Sequence, residues 1–127
     1  MTIIHKYVII KTYGVSYDTI TQYTRVSRTK GGGFSPVWNQ KLKFALKVPQ
    51  LAFVRFEVRD KLNENEIISE LDDILLGCYT MRFSSIRPGL RIVPLLREDG
   101  SQIDKARIFV KITTSSDEIN ERDLTIH

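Results

Sequence analysis

Several features are scarce or missing in this chain of 127 residues. It has one cysteine, one tryptophan and two histidines, His5 and His127, near opposite ends. A single cysteine excludes an internal disulfide and is typical of a reducing compartment. No apolar run approaches the ~18 residues that span a bilayer, and the first ten residues do not form a signal peptide. These absences predict one soluble, cytoplasmic domain.

Residues arranged for catalysis are also missing. No Ser/His/Asp, Cys/His or His-Glu-x-x-His pattern can be assembled from short motifs. Cys78 follows Gly77 inside an apolar segment, which predicts a buried structural thiol. Residues 30–33 are rich in glycine but lack the spacing of a phosphate-binding loop, and are interpreted as a turn. The sequence therefore predicts neither an enzyme nor a cofactor site.

Charge is distributed unevenly along the chain. Residues 1–59 contain ten basic and two acidic residues, whereas residues 60–127 contain nine basic and thirteen acidic residues. The parts carry +8 and −4 within a total of +4. This asymmetry is typical of a basic face for an anionic partner, and is equally compatible with an uneven solvated surface. Aromatics that alternation predicts to be exposed, such as Tyr7 and Tyr13, give no specific nucleic-acid signal, so no such partner is predicted.

Segments of alternating apolar and polar residues recur between turn signals, and none keeps helical spacing over three turns. Seven strands are predicted, at residues 7–13, 20–27, 38–47, 52–58, 74–83, 90–96 and 106–113. This pattern is typical of an all-β, antiparallel two-sheet β-sandwich. The sandwich is expected to occupy residues 1–114, and residues 115–127 are expected to form a polar C-terminal tail.

The clearest alternation begins at Trp38. Leu42 and Phe44 share its face, while lysines occupy the other face. Pro49 ends this strand because it cannot donate to the ladder, and the next strand is predicted to pair with it as a hairpin. The cations of the two strands are predicted to form one membrane- or anion-binding row: Lys41, Lys43, Lys47, Arg55 and Arg59.

The segment from Asp60 to Asp73 holds six acidic residues and one base, Lys61. Calcium requires several convergent oxygen ligands, which Asp60, Asp72 and Asp73 could supply in part. Leu62 stands where a chelating loop would place a second carboxylate, and no EF-hand pattern fits. A solvated acidic loop is therefore favoured over a calcium site, with weak calcium binding at most.

Longer motifs resemble the C2 domain of phosphoinositide-specific phospholipase C. A Gly-Phe-x-Pro-x-Trp-Asn motif lies at residues 33–39 and is widespread among C2 domains. The phospholipase branch is indicated by Val-Pro-x-Leu-Ala-x-Val-Arg-Phe at residues 48–56 and by Ser-Ser-Ile-Arg-Pro-Gly-Leu-Arg at residues 84–91. The resemblance extends over about residues 7–113.

The resemblance implies an eight-stranded sandwich that docks on anionic membranes, with calcium held by loop aspartates. Several positions differ from the family pattern. The family's first strand is expected to be missing before Tyr7, which leaves about seven strands and unpaired edges. A ligand aspartate is replaced by His5, the Asp-x-Asp motif becomes Asp60-Lys61-Leu62, and a later aspartate becomes Ile74.

The function predicted is a non-catalytic C2 module, peripheral at membranes in phosphoinositide signalling, that binds anionic phospholipids or proteins without calcium. Three to five cations near an anionic leaflet, at about 1 kcal/mol each, give weak and salt-sensitive attachment. The alternative is a C-terminal C2 fragment of a phosphoinositide phospholipase C that orients its catalytic barrel. A further alternative is an interaction domain whose basic row binds an acidic protein.

Overall fold

The computed structural model describes residues 3–30, 38–61, 73–113 and 121–127, and within these ranges the ordered elements are strands and short 3-10 turns, without an α-helix. The 3-10 turns are Ser16–Asp18, Pro49–Leu51 and Phe83–Ser85. The predicted all-β class is confirmed. The strands in the described residues are β1 (Ile3–Tyr13), β2 (Ile20–Tyr23), β3 (Ser27–Lys30), β4 (Gln40–Ala45), β5 (Phe53–Asp60), β6 (Ile74–Arg82), β7 (Gly89–Leu96), β8 (Gln102–Thr113) and β9 (Glu121–Ile126).

The strands form a continuous antiparallel path in the order β2-β1-β5-β6-β7-β8-β9-β4, and β3 also pairs with β1. β6 and β7 are joined by one residue pair, Cys78 with Leu96, so the path folds there into two halves. The first sheet comprises β1, β2, β3, β5 and β6, and the second comprises β4, β7, β8 and β9. Their apolar faces pack against each other as a β-sandwich.

Period-two alternation explains which side chains lie between the sheets. Along β5, Val54, Phe56 and Val58 are buried, and the charged residues between them face outward. The inward residues of both sheets form one core, which also contains Trp38: Val8, Ile10, Leu42, Phe44, Leu46, Ala52, Phe83, Ile86, Val93, Leu95, Ile108, Val110, Ile112, Leu124 and Ile126.

The hairpin predicted between residues 38–47 and residues 52–58, which correspond to β4 and β5, is wrong. β4 pairs with β9, whereas β5 pairs with β1 and β6. The turn Pro49–Leu51 carries the chain from the second sheet to the first instead of folding it back. Alternation shows which side chains share a face, but it contains no information on which strand lies alongside.

The C-terminal residues 121–127 are not a polar tail. β9 lies between β8 and β4, and Leu124 and Ile126 are fully buried. The segment was predicted to be a tail because a short alternating segment at the end of the chain, after a polar stretch, resembles a frayed terminus. In the described strands, β8 and β4 are each hydrogen-bonded to β9, so the path between them has no gap. The rest of the predicted tail, residues 114–120, lies outside the described residues.

The predicted second strand, residues 20–27, is interrupted. The Val8 N–H donates to the Thr24 hydroxyl oxygen at 2.8 Å, and the Thr24 N–H donates to the Val8 carbonyl at 2.9 Å. The Thr24 side chain thus occupies a ladder position of β1 and divides the segment into β2 and β3.

Candidate functional site

Lys41 and Lys43 lie on the outer face of the second sheet. Their neighbours Leu42 and Phe44 are buried in the core, which directs both lysines to solvent. The Lys41 side chain is 62% exposed, with its Nζ 3.7 Å from the Asp123 carboxylate. Both lysines are therefore accessible to a partner in solution or at a membrane.

Two further cations share this face. Lys41 and Lys111 are both paired with Thr125 of β9, so the three residues form one row across β4, β9 and β8. Arg107 follows on β8, two positions before Phe109. The prediction omitted Arg107 and Lys111 because alternation alone did not indicate that β4 and β8 flank the same strand.

Exposed apolar side chains adjoin these cations. Leu90 and Ile92 of β7 are 61% and 58% exposed, and Phe109 is opposite Ile92 in the ladder. The Arg107 guanidinium lies 5.8 Å from the centre of the Phe109 ring, within range of a cation–π interaction. We call this amphipathic surface the second-sheet face: Lys41, Lys43, Leu90, Ile92, Arg107, Phe109 and Lys111.

Arg55 and Arg59 do not belong to the second-sheet face. They lie on the outer face of β5, in the first sheet, on both sides of the buried Glu57. Arg55 Nε and Arg59 Nε donate to the Glu57 carboxylate at 2.8 and 2.9 Å, and Lys11 Nζ lies 3.4 Å from it. The Arg55 and Arg59 side chains are only 26% and 14% exposed. These cations are committed to an internal network, the Glu57 cluster.

Burial raises the pKa of Glu57, but hydrogen bonds from Arg55 and Arg59 and the charge of Lys11 lower it by more, so the pKa lies below its usual range. Burial likewise lowers the Arg55 pKa, but the hydrogen bond to Glu57 and the Coulombic attraction of neighbouring groups together raise it by more, so the pKa lies above its usual range. Both shifts hold the cluster in its charged form.

Lys47 lies beyond the end of β4. Its backbone N–H and that of Val48 donate to the two carboxylate oxygens of buried Asp18, both at 2.8 Å. Its ammonium lies 5.2 Å from the centre of the exposed Tyr17 ring. The five predicted cations are thus divided among β4, β5 and this connection, and of the five only Lys41 and Lys43 lie on the second-sheet face.

The acidic residues predicted to bind calcium are likewise not brought together in one site among the described residues. Asp73 is buried, accepts a hydrogen bond from the Tyr7 hydroxyl at 2.6 Å and lies 3.7 Å from Lys61 Nζ. Asp60 is at the end of β5, and Asp72 lies outside the described residues. Among the described residues, no group of three or more His, Cys, Asp and Glu side chains could hold a metal ion.

A bulge explains why Lys61 meets Asp73. The register between β5 and β6 shifts after Val58. Val58 pairs with Gly77, but Arg59 pairs with Leu75, so Leu76 has no partner on β5. Asp60 then pairs with Ile74, so the following residue, Lys61, lies opposite Asp73. The Asp73 carboxylate, held by an ammonium and a phenol, does not have the open oxygen set that calcium requires.

The C2 domain model matches residues 3–97, and the chain belongs to the C2 domain family, in agreement with its β-sandwich. It is 35% identical over 124 residues to 1-phosphatidylinositol 4,5-bisphosphate phosphodiesterase delta-4 of Xenopus laevis, with 96% of this chain covered. It is 37% identical over 108 residues to the zeta-1 protein of that name from Mus musculus, with 83% covered. The resemblance noted from the sequence is confirmed.

The chain spans 15% of the length of each of these two relatives. The human delta-3 phosphodiesterase is similar, with 34% identity over 113 residues, 87% of this chain and 13% of the relative. The 127 residues therefore correspond to a C2 domain and do not include a catalytic barrel. No helix within the described ranges is long and apolar enough to cross a bilayer.

Proposed function

We propose that this chain is a non-catalytic docking module that binds anionic phospholipid membranes at their cytoplasmic surface without calcium. The observation that supports it is the second-sheet face, where exposed cations adjoin exposed apolar side chains. Cations attract an anionic leaflet, and apolar or aromatic side chains that contact the headgroup region add burial. Contiguous exposed apolar residues commonly mark interaction sites.

The size of the attraction follows from the number of cations. Lys41, Lys43, Arg107 and Lys111 contribute about 1 kcal/mol each near an anionic leaflet. Asp123, which lies beside Lys41, offsets part of this sum. Exposed charges are screened over a Debye length of about 8 Å at physiological salt, so binding is expected to weaken as salt is added.

Calcium independence is supported by the Asp73 environment. Lys61 Nζ supplies a positive charge beside the Asp73 carboxylate, and the Tyr7 hydroxyl supplies a hydrogen bond. A divalent ion would have to displace both. Docking by the second-sheet face also needs no bridging ion, because its own lysines and arginines meet the lipid phosphates.

Vesicle co-sedimentation tests the proposal. The chain is mixed with neutral phosphatidylcholine vesicles, with vesicles that also contain phosphatidylserine, and with vesicles that contain phosphatidylinositol 4,5-bisphosphate, the lipid in the names of the relatives. We expect pelleting on both anionic compositions only, unchanged by a calcium chelator. Lys41→Gln/Lys43→Gln should weaken binding about 30-fold, because two cations contribute about 2 kcal/mol.

Arg82→Gln/Arg97→Gln is the matched control, since it removes the same charge elsewhere. Arg82 ends β6 in the first sheet, and Arg97 lies in the turn that follows β7, at the opposite end of that strand from Leu90. We expect binding within about threefold of the unmodified chain. Equal loss in both double variants, or equal pelleting on neutral and anionic vesicles, would contradict docking by this face.

A further inference from the structure

A cavity opens where the two sheets separate. β6 and β7 pair only at Cys78 and Leu96, and the strands diverge toward Arg82 and Gly89. The space between them has a volume of about 180 Å³. Its walls are mainly apolar and come from both sheets: Phe56, Tyr79, Met81, Ile86, Val93 and Ile112.

Arg91 faces this cavity from a position where the core pattern calls for an apolar residue. On β7, Arg91 lies on the same side of the strand as Val93 and Leu95, which are both buried. Its partner on β8 is the fully buried Val110. Arg91 is therefore a cation on the inward side of β7 that remains exposed at the mouth of the cavity, which departs from the alternation of buried apolar residues along the strand. Such local violations are expected at functional sites.

The Arg91 guanidinium is already positioned. Its Nε donates to the Arg87 carbonyl at 3.3 Å and one Nη donates to the Pro88 carbonyl at 2.8 Å. Gly89, with φ of +115°, provides the turn that places these carbonyls beside it. Two of five N–H groups are thereby used, and the rest are available to a ligand.

A second arginine, Arg87, also lines the cavity. Among the described residues, neither Arg87 nor Arg91 has a carboxylate within ion-pair distance. This contrasts with Arg55 and Arg59, whose guanidinium groups converge on Glu57. The Arg91 guanidinium, which has no acidic partner, and a second arginine in the wall of an apolar cavity are complementary to an anion that carries an apolar chain.

We propose that this cavity binds a single-chain anionic amphiphile, such as a medium-chain fatty acid. The carboxylate accepts hydrogen bonds from Arg91 and Arg87, and the alkyl chain lies between Phe56, Met81 and Ile112. Since a cavity of about 150 Å³ accommodates benzene, about 180 Å³ takes a chain of roughly six to eight carbons. The guanidinium fork matches the planar carboxylate.

Calorimetric titration of the 127-residue chain with octanoate, in the absence of vesicles, tests this site separately from membrane docking. We expect one octanoate bound per chain. Octanol, which lacks the charge, and propionate, which lacks the chain, should each bind at least tenfold more weakly, since a charge-assisted hydrogen bond and chain burial each contribute at least that factor.

Three variants identify the site. Arg91→Gln should weaken octanoate binding at least tenfold and leave octanol binding unchanged, while Arg91→Lys should retain part of the affinity. Met81→Phe, which fills the cavity, should weaken both ligands. Arg107→Gln is the matched control for octanoate, because it removes an arginine on the outer face of the same sheet, and should leave octanoate binding unchanged.

Thermal unfolding establishes that each variant is folded. If Met81→Phe does not fold, the comparison of Arg91→Lys with Arg91→Gln is sufficient to test the site. The proposal is overturned if the unmodified chain binds no octanoate, if octanol or propionate binds as tightly, or if Arg91→Gln and Arg107→Gln behave alike. Loss of vesicle binding in the Lys41→Gln/Lys43→Gln variant with octanoate binding intact would show that the two sites are independent.

Discussion

The outer faces of the two sheets carry cations at alternate positions, yet these cations have different roles. In the first sheet, Arg55, Arg59 and Lys11 surround one buried carboxylate, Glu57, at hydrogen-bond or ion-pair distance. In the second sheet, the Lys41 side chain is exposed to solvent, and its Nζ lies 3.7 Å from the Asp123 carboxylate. The presence of a basic row therefore does not indicate a binding surface; the carboxylate within reach of that row decides its role.

Each face also contains a buried carboxylate beside its cations, Glu57 in the first sheet and Asp123 in the second, and these two groups differ as well. Both oxygens of Glu57 are hydrogen-bonded to arginine. In Asp123, Oδ1 has no hydrogen-bond partner among the described residues. A buried charge stabilises a fold only when its partners offset the cost of removing it from water. The Glu57 cluster should thus stabilise the first sheet more than Asp123 stabilises the second.

The largest expected effect is the loss of this cluster. Glu57→Gln leaves three cations around a neutral amide and should lower the free energy of unfolding by about 2–3 kcal/mol, somewhat less than for a fully buried pair because the cations are partly exposed. Asp123→Asn should cost under about 1 kcal/mol. Urea unfolding of both variants measures the difference. Equal losses would show that the faces are not distinct in this respect.

The same cluster predicts an acid limit. The pKa of Glu57 is lowered in the folded state, so its stabilisation is present above its unfolded pKa of about 4.3 and is lost as the pH falls through the folded value. Unfolding free energies at pH 6 and pH 3 should therefore differ more for the unmodified chain than for Glu57→Gln. A pH dependence identical in both proteins would assign the acid sensitivity to other carboxylates.

Single substitutions compare the faces more finely. Lys43→Gln should weaken binding to phosphatidylserine vesicles about fivefold, the equivalent of about 1 kcal/mol, and leave the unfolding midpoint nearly unchanged. Arg55→Gln should have the reverse pattern, with binding within about twofold and stability reduced by about 1 kcal/mol. Co-sedimentation and urea unfolding on the same samples test this, and a reduction in binding by Arg55→Gln would contradict the assignment.

The smallest effect concerns calcium. Because Lys61 and Tyr7 occupy the Asp73 carboxylate, millimolar calcium should shift the thermal unfolding midpoint by less than about 1 °C, whereas a ligand present at 100 times its Kd stabilises by about 2.7 kcal/mol. Magnesium at the same concentration controls for ionic strength. A calcium-specific rise of several degrees would show that the loop supplies ligands in place of these contacts.

Much of the fold was predictable because it follows from local pattern. Alternation around Leu42, Val54 and Ile108 predicted the strands and their inward faces, and these residues are buried as expected. The motifs at residues 48–56 and 84–91 predicted the C2 family, which the comparison confirms. Alternation is a property of one strand, so it can be found without knowing any neighbour.

Partner strands were not predictable in this way. The supposed hairpin of β4 with β5 combined cations that lie on different sheets, and the short segment Asp123-Leu124-Thr125-Ile126 was assigned to a tail although it alternates. Its place between β8 and β4 depends on pairing with residues far away in sequence. A period of two in hydrophobicity specifies which side chains of a strand share a face, but it does not specify which other strand pairs with that strand.

The sequence by itself determined the class of fold, the inward and outward sides of each long strand, and the excess of positive charge before residue 60. The tertiary structure alone decided which cations meet a carboxylate of another strand, which are exposed to solvent and which line a cavity. The physical reason is that the energy of a charge depends on the groups within a few ångströms of it. For Lys41, which lies beside Asp123 of β9, and for Lys11 of β1, which lies beside Glu57 of β5, those groups come from strands that only folding brings together.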